Sequence, residues 1–189
     1  MRKLAILFGS AALAVTTILA PQASALSQGD KVVNSYGNSC TVGYINHETN
    51  QAYISRHCAS DDGKFYHNGQ HVGTMDPSTP GFRLISSYPG MFPHDSGKMN
   101  LHAGQAGDNN YSGNNKASHH VAPGTQVCSY GQTTGRTTCG IALSSTPTDL
   151  YVLNMALPGD SGGPNWTSDG FVGTTTGGGL GYRVVKNEY

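Results

Sequence analysis

The chain has 189 residues, of which 26 are glycine, and only 12% are charged. This composition suits short strands joined by tight turns, and it argues against a bundle of helices with charged surfaces. The formal net charge is +0, so no basic excess points to nucleic acid. The length suits one domain, or two small halves that share a core.

Residues 1–25 have the organisation of a secretory signal peptide. Arg2 and Lys3 precede an apolar run over 4–20, and small residues at 23–25 suit cleavage. An uncleaved membrane anchor is the alternative, but polar residues interrupt the run and it stops at Pro21. We therefore expect a secreted mature chain that begins near Leu26 and has no membrane span.

The first half, 26–102, has the pattern of an antiparallel sheet. Asn68-Gly69 is a strong hairpin signal, because both residues tolerate the positive φ of a two-residue turn. Strands are predicted at 30–35, 41–46, 51–55, 65–67 and 70–72, with a turn at 46–50.

Four histidines have spacings that raise the question of a metal site. His67 and His71 flank the predicted hairpin turn, where helical ligand spacing does not apply, and His119 and His120 are adjacent and would point to opposite faces of a strand. We expect no metal and no cofactor.

Residues 103–118 are rich in Gly, Asn, Gln and Ser, which is typical of a surface connection. The second half, 119–189, resumes the strand pattern, and no long helix-period segment appears outside the signal peptide. Its strands are predicted at 126–130, 137–143, 150–155, 170–175 and 182–185. The chain is therefore predicted to be all-β.

Four cysteines in an exported chain suggest two disulfides, with three possible connectivities. Pairing of neighbours is simplest and gives Cys40–Cys58 and Cys128–Cys139. A four-cysteine zinc site is disfavoured because no closely spaced cysteine pair exists.

Residues 159–164 read Gly-Asp-Ser-Gly-Gly-Pro. A serine becomes a good nucleophile only beside a base, and the oxyanion it creates needs donors already in place. Gly159 lets the backbone bend, so that its N–H and that of Ser161 can serve as those donors. His57, in Ser55-Arg56-His57-Cys58, is the candidate base. Pro164 argues against a nucleophile elbow, which a helix would follow.

Several segments of the chain resemble the chymotrypsin-fold serine proteases and follow the order they have in that family. They are most similar to the small secreted bacterial group that includes the streptogrisins. The matching segments span the chain from about residue 29 to residue 181: 40–44, 57–58, 127–135, 139–140, 159–164 and 175–178. The resemblance implies two antiparallel six-stranded β-barrels with the active site in the cleft between them.

The resemblance also implies residue roles. Ser161 would be the nucleophile, His57 the general base and then acid, and the amides of Gly159 and Ser161 the oxyanion hole. Thr176, Gly177 and Gly178 would form a strand edge that pairs with the substrate backbone. Asp160 would be a buried, ion-paired structural carboxylate.

The third member of the catalytic triad departs from the family pattern. The expected aspartate heads a strand of the form Asp-aromatic-x-aliphatic-aliphatic, and the best match, 81–85, has Gly81 in that place. Its loss typically costs about ten thousand-fold in rate. Asp76 is the candidate substitute for this aspartate, and Asp95 and Asp108 are more distant options. The alternative for Asp76 is a purely structural role in an Asp-Pro turn.

Two further departures concern arginines. Arg56 stands where relatives have a small residue, and its charge would disfavour protonated His57 unless it pointed to solvent. Ser129 replaces the streptogrisin arginine, which leaves Arg136 and Arg183 as candidate partners of Asp160.

The sequence therefore predicts a secreted, monomeric serine endopeptidase that acts on polypeptides. The alternative is a catalytically impaired homologue that binds peptides or surface partners, because of Gly81. The apolar segment 153–157 before the oxyanion loop does not support specificity for basic residues.

Overall fold

The structure is a computed structural model that describes residues 24–79, 95–117 and 120–186. In these ranges the regular elements are thirteen strands and one short 3₁₀ helix, Arg56–Cys58. The prediction of an all-β chain is confirmed. None of the helices in the described ranges has the length and apolar character needed to cross a membrane.

The strands of the first half form one curled antiparallel sheet in the order β2-β1-β5-β6-β7-β4-β3. Its strands are β1 (Lys31–Asn34), β2 (Ser39–Thr41), β3 (Tyr44–Asn46), β4 (Gln51–Ser55), β5 (Lys64–His67), β6 (Gln70–Met75) and β7 (Ser96–Leu101).

The two strands at the ends of this order, β2 and β3, are consecutive in the sequence. β2 and β3 lie at opposite ends, yet only Val42 and Gly43 separate them, so one bent run pairs with β1 at its start and with β4 at its end. The bend curls the sheet on itself. Counted as one bent strand, β2 and β3 give the six strands expected of the first barrel.

The strands of the second half form a closed barrel in the order β10-β13-β12-β11-β8-β9. They are β8 (Gln126–Tyr130), β9 (Thr137–Ser145), β10 (Asp149–Ala156), β11 (Pro164–Thr167), β12 (Gly170–Thr176) and β13 (Gly179–Val185). The two-barrel fold is thus confirmed.

Each barrel has its own apolar core. Ile54, Phe65 and Met99 are fully buried in the first, and Val127, Val152 and Val184 are fully buried in the second. Along β10 burial alternates strictly residue by residue, as expected for a strand with one face on a core.

The strands that the sequence did not predict are β7 and β11. β11 begins at Pro164, directly after the glycine loop, where proline is tolerated because it is the first residue of the strand. The predicted turn at 68–69 is confirmed, with φ of 50° at Asn68 and 79° at Gly69. The signal peptide up to residue 23, the 81–85 segment and His119 lie outside the described residues.

Candidate active site

Thr41 makes three hydrogen bonds across the seam between the barrels. Its N–H donates to the carbonyl of Ser161 at 2.9 Å, and its hydroxyl donates to the carbonyl of Gly159 at 2.9 Å. From the other barrel, the N–H of Gln132 donates to that hydroxyl at 3.0 Å. One residue of β2 therefore holds both ends of the Gly159–Ser161 turn.

The histidine is held against the same seam. His57 lies in the 3₁₀ helix that follows β4, and a disulfide joins its neighbour Cys58 to Cys40 of β2. The hydroxyl of Ser55 donates to the carbonyl of Thr175 in the second barrel at 2.7 Å. The ends of the histidine segment are thus fixed to both barrels.

Asp95 is the carboxylate beside His57. Its Oδ2 lies 2.5 Å from Nδ1 of His57, and its Oδ1 accepts the backbone N–H of His57 at 2.9 Å. The hydroxyl of Thr176 also donates to Oδ2. Asp95 is 1% exposed, so its negative charge depends on these donors.

The pKa of Asp95 lies below that of an ordinary aspartate. Burial is the largest single influence and would raise the pKa, but it is outweighed by the hydrogen bond and charge of His57 together with the hydroxyl of Thr176. The carboxylate is therefore ionised at neutral pH, and it can orient the imidazole.

Asp76, the candidate third triad residue, makes no contact with His57 among its described contacts. The Asp76 carboxylate accepts the N–H of Ser78 at 2.8 Å and its hydroxyl at 2.7 Å, and it also accepts the side-chain amide of Gln51 at 3.0 Å. Asp76 thus stabilises the turn after β6, which is the structural role expected of an Asp-Pro turn. The imidazole of His57 is paired with Asp95.

Ser161 lies at the apex of a tight turn. Gly159 has a φ of 99°, a conformation that favours glycine, and an added Cβ would lie 2.3 Å from the hydroxyl of Thr133. The N–H of Asp160 donates back to the carbonyl of Leu157 at 2.9 Å. Among the described residues, the amides of Gly159 and Ser161 donate no backbone hydrogen bond, so both remain available to an oxyanion.

Asp160 is buried behind this turn and holds it with neutral donors. Oδ1 accepts the amides of Thr133 and Thr134, both at 2.9 Å, while Oδ2 accepts the amide of Leu157 at 2.8 Å and the hydroxyl of Thr134.

The expected ion pair to Asp160 is not formed within the described ranges. Arg183 instead lies 3.6 Å from Asp149, and Arg136 is exposed. Because four donors already satisfy the Asp160 carboxylate, it needs no cation.

A cleft cavity of about 760 Å³ brings the candidate groups together. His57 and Ser161 line it together with Pro158 and Gly159 of the nucleophile turn. The rest of its lining consists of Gly177, Gly178, Asn38, Ser39 and the Cys40–Cys58 disulfide. The cavity can hold an extended chain that passes the serine and the histidine.

From the sequence, Arg56 is required to point to solvent if its charge is not to disfavour protonated His57. The structure buries Arg56 instead. It is 2% exposed, and its N–H donates to the carbonyl of Asp95 at 2.8 Å. Burial lowers the pKa of its guanidinium, and the Asp95 carboxylate opposes that shift. The charge of Asp95 thus partly offsets the effect of burial on the guanidinium.

One group of three possible metal ligands occurs in the described ranges, formed by Cys40, His57 and Cys58 within 4.8 Å of one another. Both sulfurs are committed to the disulfide, so no thiolate is available. The hairpin histidines have other partners. His67 Nδ1 lies 2.8 Å from the carbonyl of Lys31, and His71 packs edge-on against His102.

Sequence reasoning ranked Asp95 behind Asp76 as the carboxylate partner of His57, and it missed the roles of Thr41 and Thr134. The family pattern of an aspartate followed by adjacent aliphatic residues does not match 95–101. There Asp95 precedes a strand in which Met99 and Leu101 are buried at alternate positions. An aspartate directly before an alternating strand was the available signal.

The second disulfide, Cys128–Cys139, joins β8 to β9 at directly paired positions on the outer part of the barrel. Thr176 ends β12, and Gly177 and Gly178 connect it to β13. The Thr176 hydroxyl contacts Asp95, while the following two glycines line the cleft. The predicted strand edge and the histidine therefore meet at Thr176.

No family model matches the chain, and no curated protein matches it. Solved structures of bacterial proteases do resemble it. A Nocardiopsis protease is 21% identical with a TM-score of 0.60, covering 87% of this chain and 93% of its own. Cellulomonas bogoriensis chymotrypsin is 22% identical with a TM-score of 0.64, covering 85% and 90%.

Thermobifida fusca protease A is also similar, at 22% identity and a TM-score of 0.62, covering 86% of this chain and 91% of its own. The fold of this chain is therefore that of the bacterial chymotrypsin-like serine proteases.

Proposed function

We propose that the chain is a secreted serine endopeptidase that hydrolyses peptide bonds through an acyl-enzyme. The supporting observation is that the imidazole of His57, paired with Asp95, lines the same cavity as Ser161 and the oxyanion turn. No other cluster of nucleophile, base and carboxylate is needed to account for the chemistry.

Asp95 accepts a hydrogen bond from the Nδ1–H of His57, which leaves the unprotonated Nε2 free to act as a base. Nε2 takes the proton of Ser161 while Oγ bonds to the substrate carbonyl carbon, and the amides of Gly159 and Ser161 stabilise the oxyanion. His57 then gives the proton to the leaving amine as the C–N bond breaks. Water, activated by the same imidazole, hydrolyses the ester and restores Ser161.

The proposed substrate is an extended polypeptide. Thr176, Gly177 and Gly178 offer backbone donors and acceptors beside the serine, so a substrate strand can pair with them regardless of its side chains. The segment before the oxyanion turn, 153–157, carries no charge that would select a basic residue.

Secretion is part of the proposal. The two disulfides are stable in an oxidising compartment, and residues 1–25 have the pattern of a signal peptide. We place the first barrel at 26–102, the connection at 103–118 and the second barrel at 119–189, and we expect a monomer.

The alternative of a catalytically impaired homologue rested on Gly81. Asp95 removes that reason, because it supplies a buried carboxylate to Nδ1 of His57. The structure thus offers no observation that favours a purely binding role.

A fluorophosphonate probe tests the proposal directly. We expect covalent labelling of the folded chain at Ser161 and hydrolysis of unfolded casein, both lost in Ser161→Ala. Ser168→Ala, in an exposed turn of the same barrel, is the matched control and should keep both. A folded chain that neither reacts with the probe nor cleaves casein would refute the proposed function.

A further inference from the structure

Seven of the eight large apolar side chains that are exposed in the described ranges lie close together on the second barrel. We name six of them the apolar band; their exposed fractions run from 40% to 73%: Ile141, Leu143, Leu153, Met155, Leu157 and Leu180. The seventh, Tyr151, is 44% exposed.

Strand register makes this band continuous. Leu153 of β10 is directly opposite Ile141 of β9, and Met155 of β10 is directly opposite Leu180 of β13. Alternate residues of β10 share one face, so Tyr151, Leu153 and Met155 lie in a row. A contiguous apolar surface on a barrel exterior indicates a binding surface.

The band reaches the candidate active site. Leu157 immediately precedes Pro158 and Gly159, which line the cleft. A second cavity, of about 290 Å³, shares Gly177 and Gly178 with the cleft and has Tyr151 in its wall. A chain leaving the cleft past Gly178 therefore enters this cavity and meets Tyr151, which shares a face of β10 with Leu153 and Met155. Asn38 and Ser39 line the cleft but not this cavity.

The surface also has the wrong chemistry for a charged partner. None of the band residues is charged, and the nearby Arg183 is paired with Asp149 at 3.6 Å. Anionic headgroups and acidic or basic peptides would find no complementary charge there. An uncharged, apolar stretch of polypeptide fits the surface.

We propose that the apolar band is an exosite for the substrate itself, which binds an apolar segment of an unfolded polypeptide several residues to one side of the cleaved bond. This rests on the proposed function, because it identifies the substrate class of the same cleft. The chain would then prefer unfolded proteins with exposed apolar stretches.

The test compares three peptides with the same residues around the scissile bond: one untailed, one with a Leu-Val-Leu tail on its N-terminal side and one with this tail on its C-terminal side. We expect kcat/KM to rise about tenfold or more for one tailed peptide and not for the other, because the cavity beside the band shares only Gly177 and Gly178 with the cleft. An equal gain on both sides, or no gain, would overturn the proposal.

Leu153→Thr with Leu180→Thr should bring the favoured tailed peptide to within about twofold of the untailed one. Tyr36→Ser, which removes a 57% exposed aromatic from the first barrel, is the matched control and should keep the preference. Preference that survives the double change would count against the exosite.

Binding to the Ser161→Ala variant separates this proposal from the catalytic one. Fluorescence anisotropy should show tighter binding of the favoured tailed peptide even though this variant cannot cleave it. If the wild-type chain cleaves no peptide but this binding difference persists, the proposed function fails, whereas the band remains a binding surface for apolar polypeptide.

Two other occupants would overturn the exosite. Sedimentation that shows a dimer abolished by the double change would assign the band to a second copy. Binding to phosphatidylcholine vesicles that the same change abolishes, without any peptide preference, would assign it to a lipid surface.

Discussion

Asp95 and Asp76 show how the surroundings of a carboxylate decide its role. Both side chains accept several hydrogen bonds, and in both the pKa lies below the ordinary value. Asp76 receives its donors mainly from Ser78 within its own turn, while Asp95 receives them from His57 and Thr176, which belong to different barrels. Only Asp95 connects the imidazole with the strand edge.

Asp95→Asn should therefore lower kcat by about ten thousand-fold, because the imidazole would lose the acceptor that fixes its tautomer. Asp76→Asn, the matched change at the other carboxylate, should leave kcat within about threefold and cost only about 1 kcal/mol of stability. Steady-state hydrolysis of one peptide by both variants checks this. The reverse ranking would restore Asp76 to the triad.

The pH dependence of stability should carry the signature of Asp95. A pKa lowered by folding means that the stabilisation is fully present above the unfolded pKa, about 3.9, and is lost as pH falls through the lower folded pKa. The difference in unfolding free energy between the wild type and Asp95→Asn should thus be constant near neutral pH and shrink below about pH 4. Urea titrations at several pH values measure it.

At the scale of elements, the two disulfides have different positions relative to the cleft. Cys40–Cys58 connects β2 to the 3₁₀ helix that carries His57, and it forms part of the cleft wall. Cys128–Cys139 joins two paired positions of a hairpin within the second barrel. Both restrict the unfolded chain, but only the first lies next to His57, the proposed catalytic base.

Replacing either pair by alanines should cost about 2 to 4 kcal/mol in unfolding free energy. Cys40→Ala with Cys58→Ala should also reduce kcat, since the histidine segment loses its covalent link to β2. Cys128→Ala with Cys139→Ala should keep kcat near the wild-type value under conditions where the chain is folded. Equal kcat values for the two double variants would show that the first disulfide is only structural.

Elements defined by local chemistry were the predictable part of the fold. Asn68-Gly69 fixes its hairpin by backbone preference, and β4 and β8 were predicted with the bounds that the structure has. β7 was missed because its inward positions include Gly97, which carries no apolar signal. Asp95 could not be assigned by its own motif, since its role depends on a pairing with Thr176 that lies 81 residues away along the chain.

At the scale of the whole molecule, the two barrels approach each other closely at Gly43. A Cβ added to Gly43 would lie 2.5 Å from the carbonyl oxygen of Gly162 and 2.5 Å from a methyl group of Thr174. Gly43 is also where the bent strand turns from β2 to β3. The approach of the two barrels thus depends on the absence of a side chain at this position.

Gly43→Ala should separate the barrels slightly and so lower kcat more than its stability cost of about 1 to 3 kcal/mol would explain. Gly73→Ala is the matched control, because its Cβ would lie 2.5 Å from the carbonyl of Asn100 within the first sheet alone. The control should lose similar stability but keep kcat in the folded state. Equal activity loss in both would argue against a special role of the seam.

The turn that carries Ser161 is fastened by amides and a hydroxyl on Asp160 rather than by a cation. Dissolved ions screen attraction between exposed opposite charges, but they have little access to a buried carboxylate surrounded by neutral donors. The nucleophile should therefore keep its geometry in concentrated salt as well as in dilute buffer.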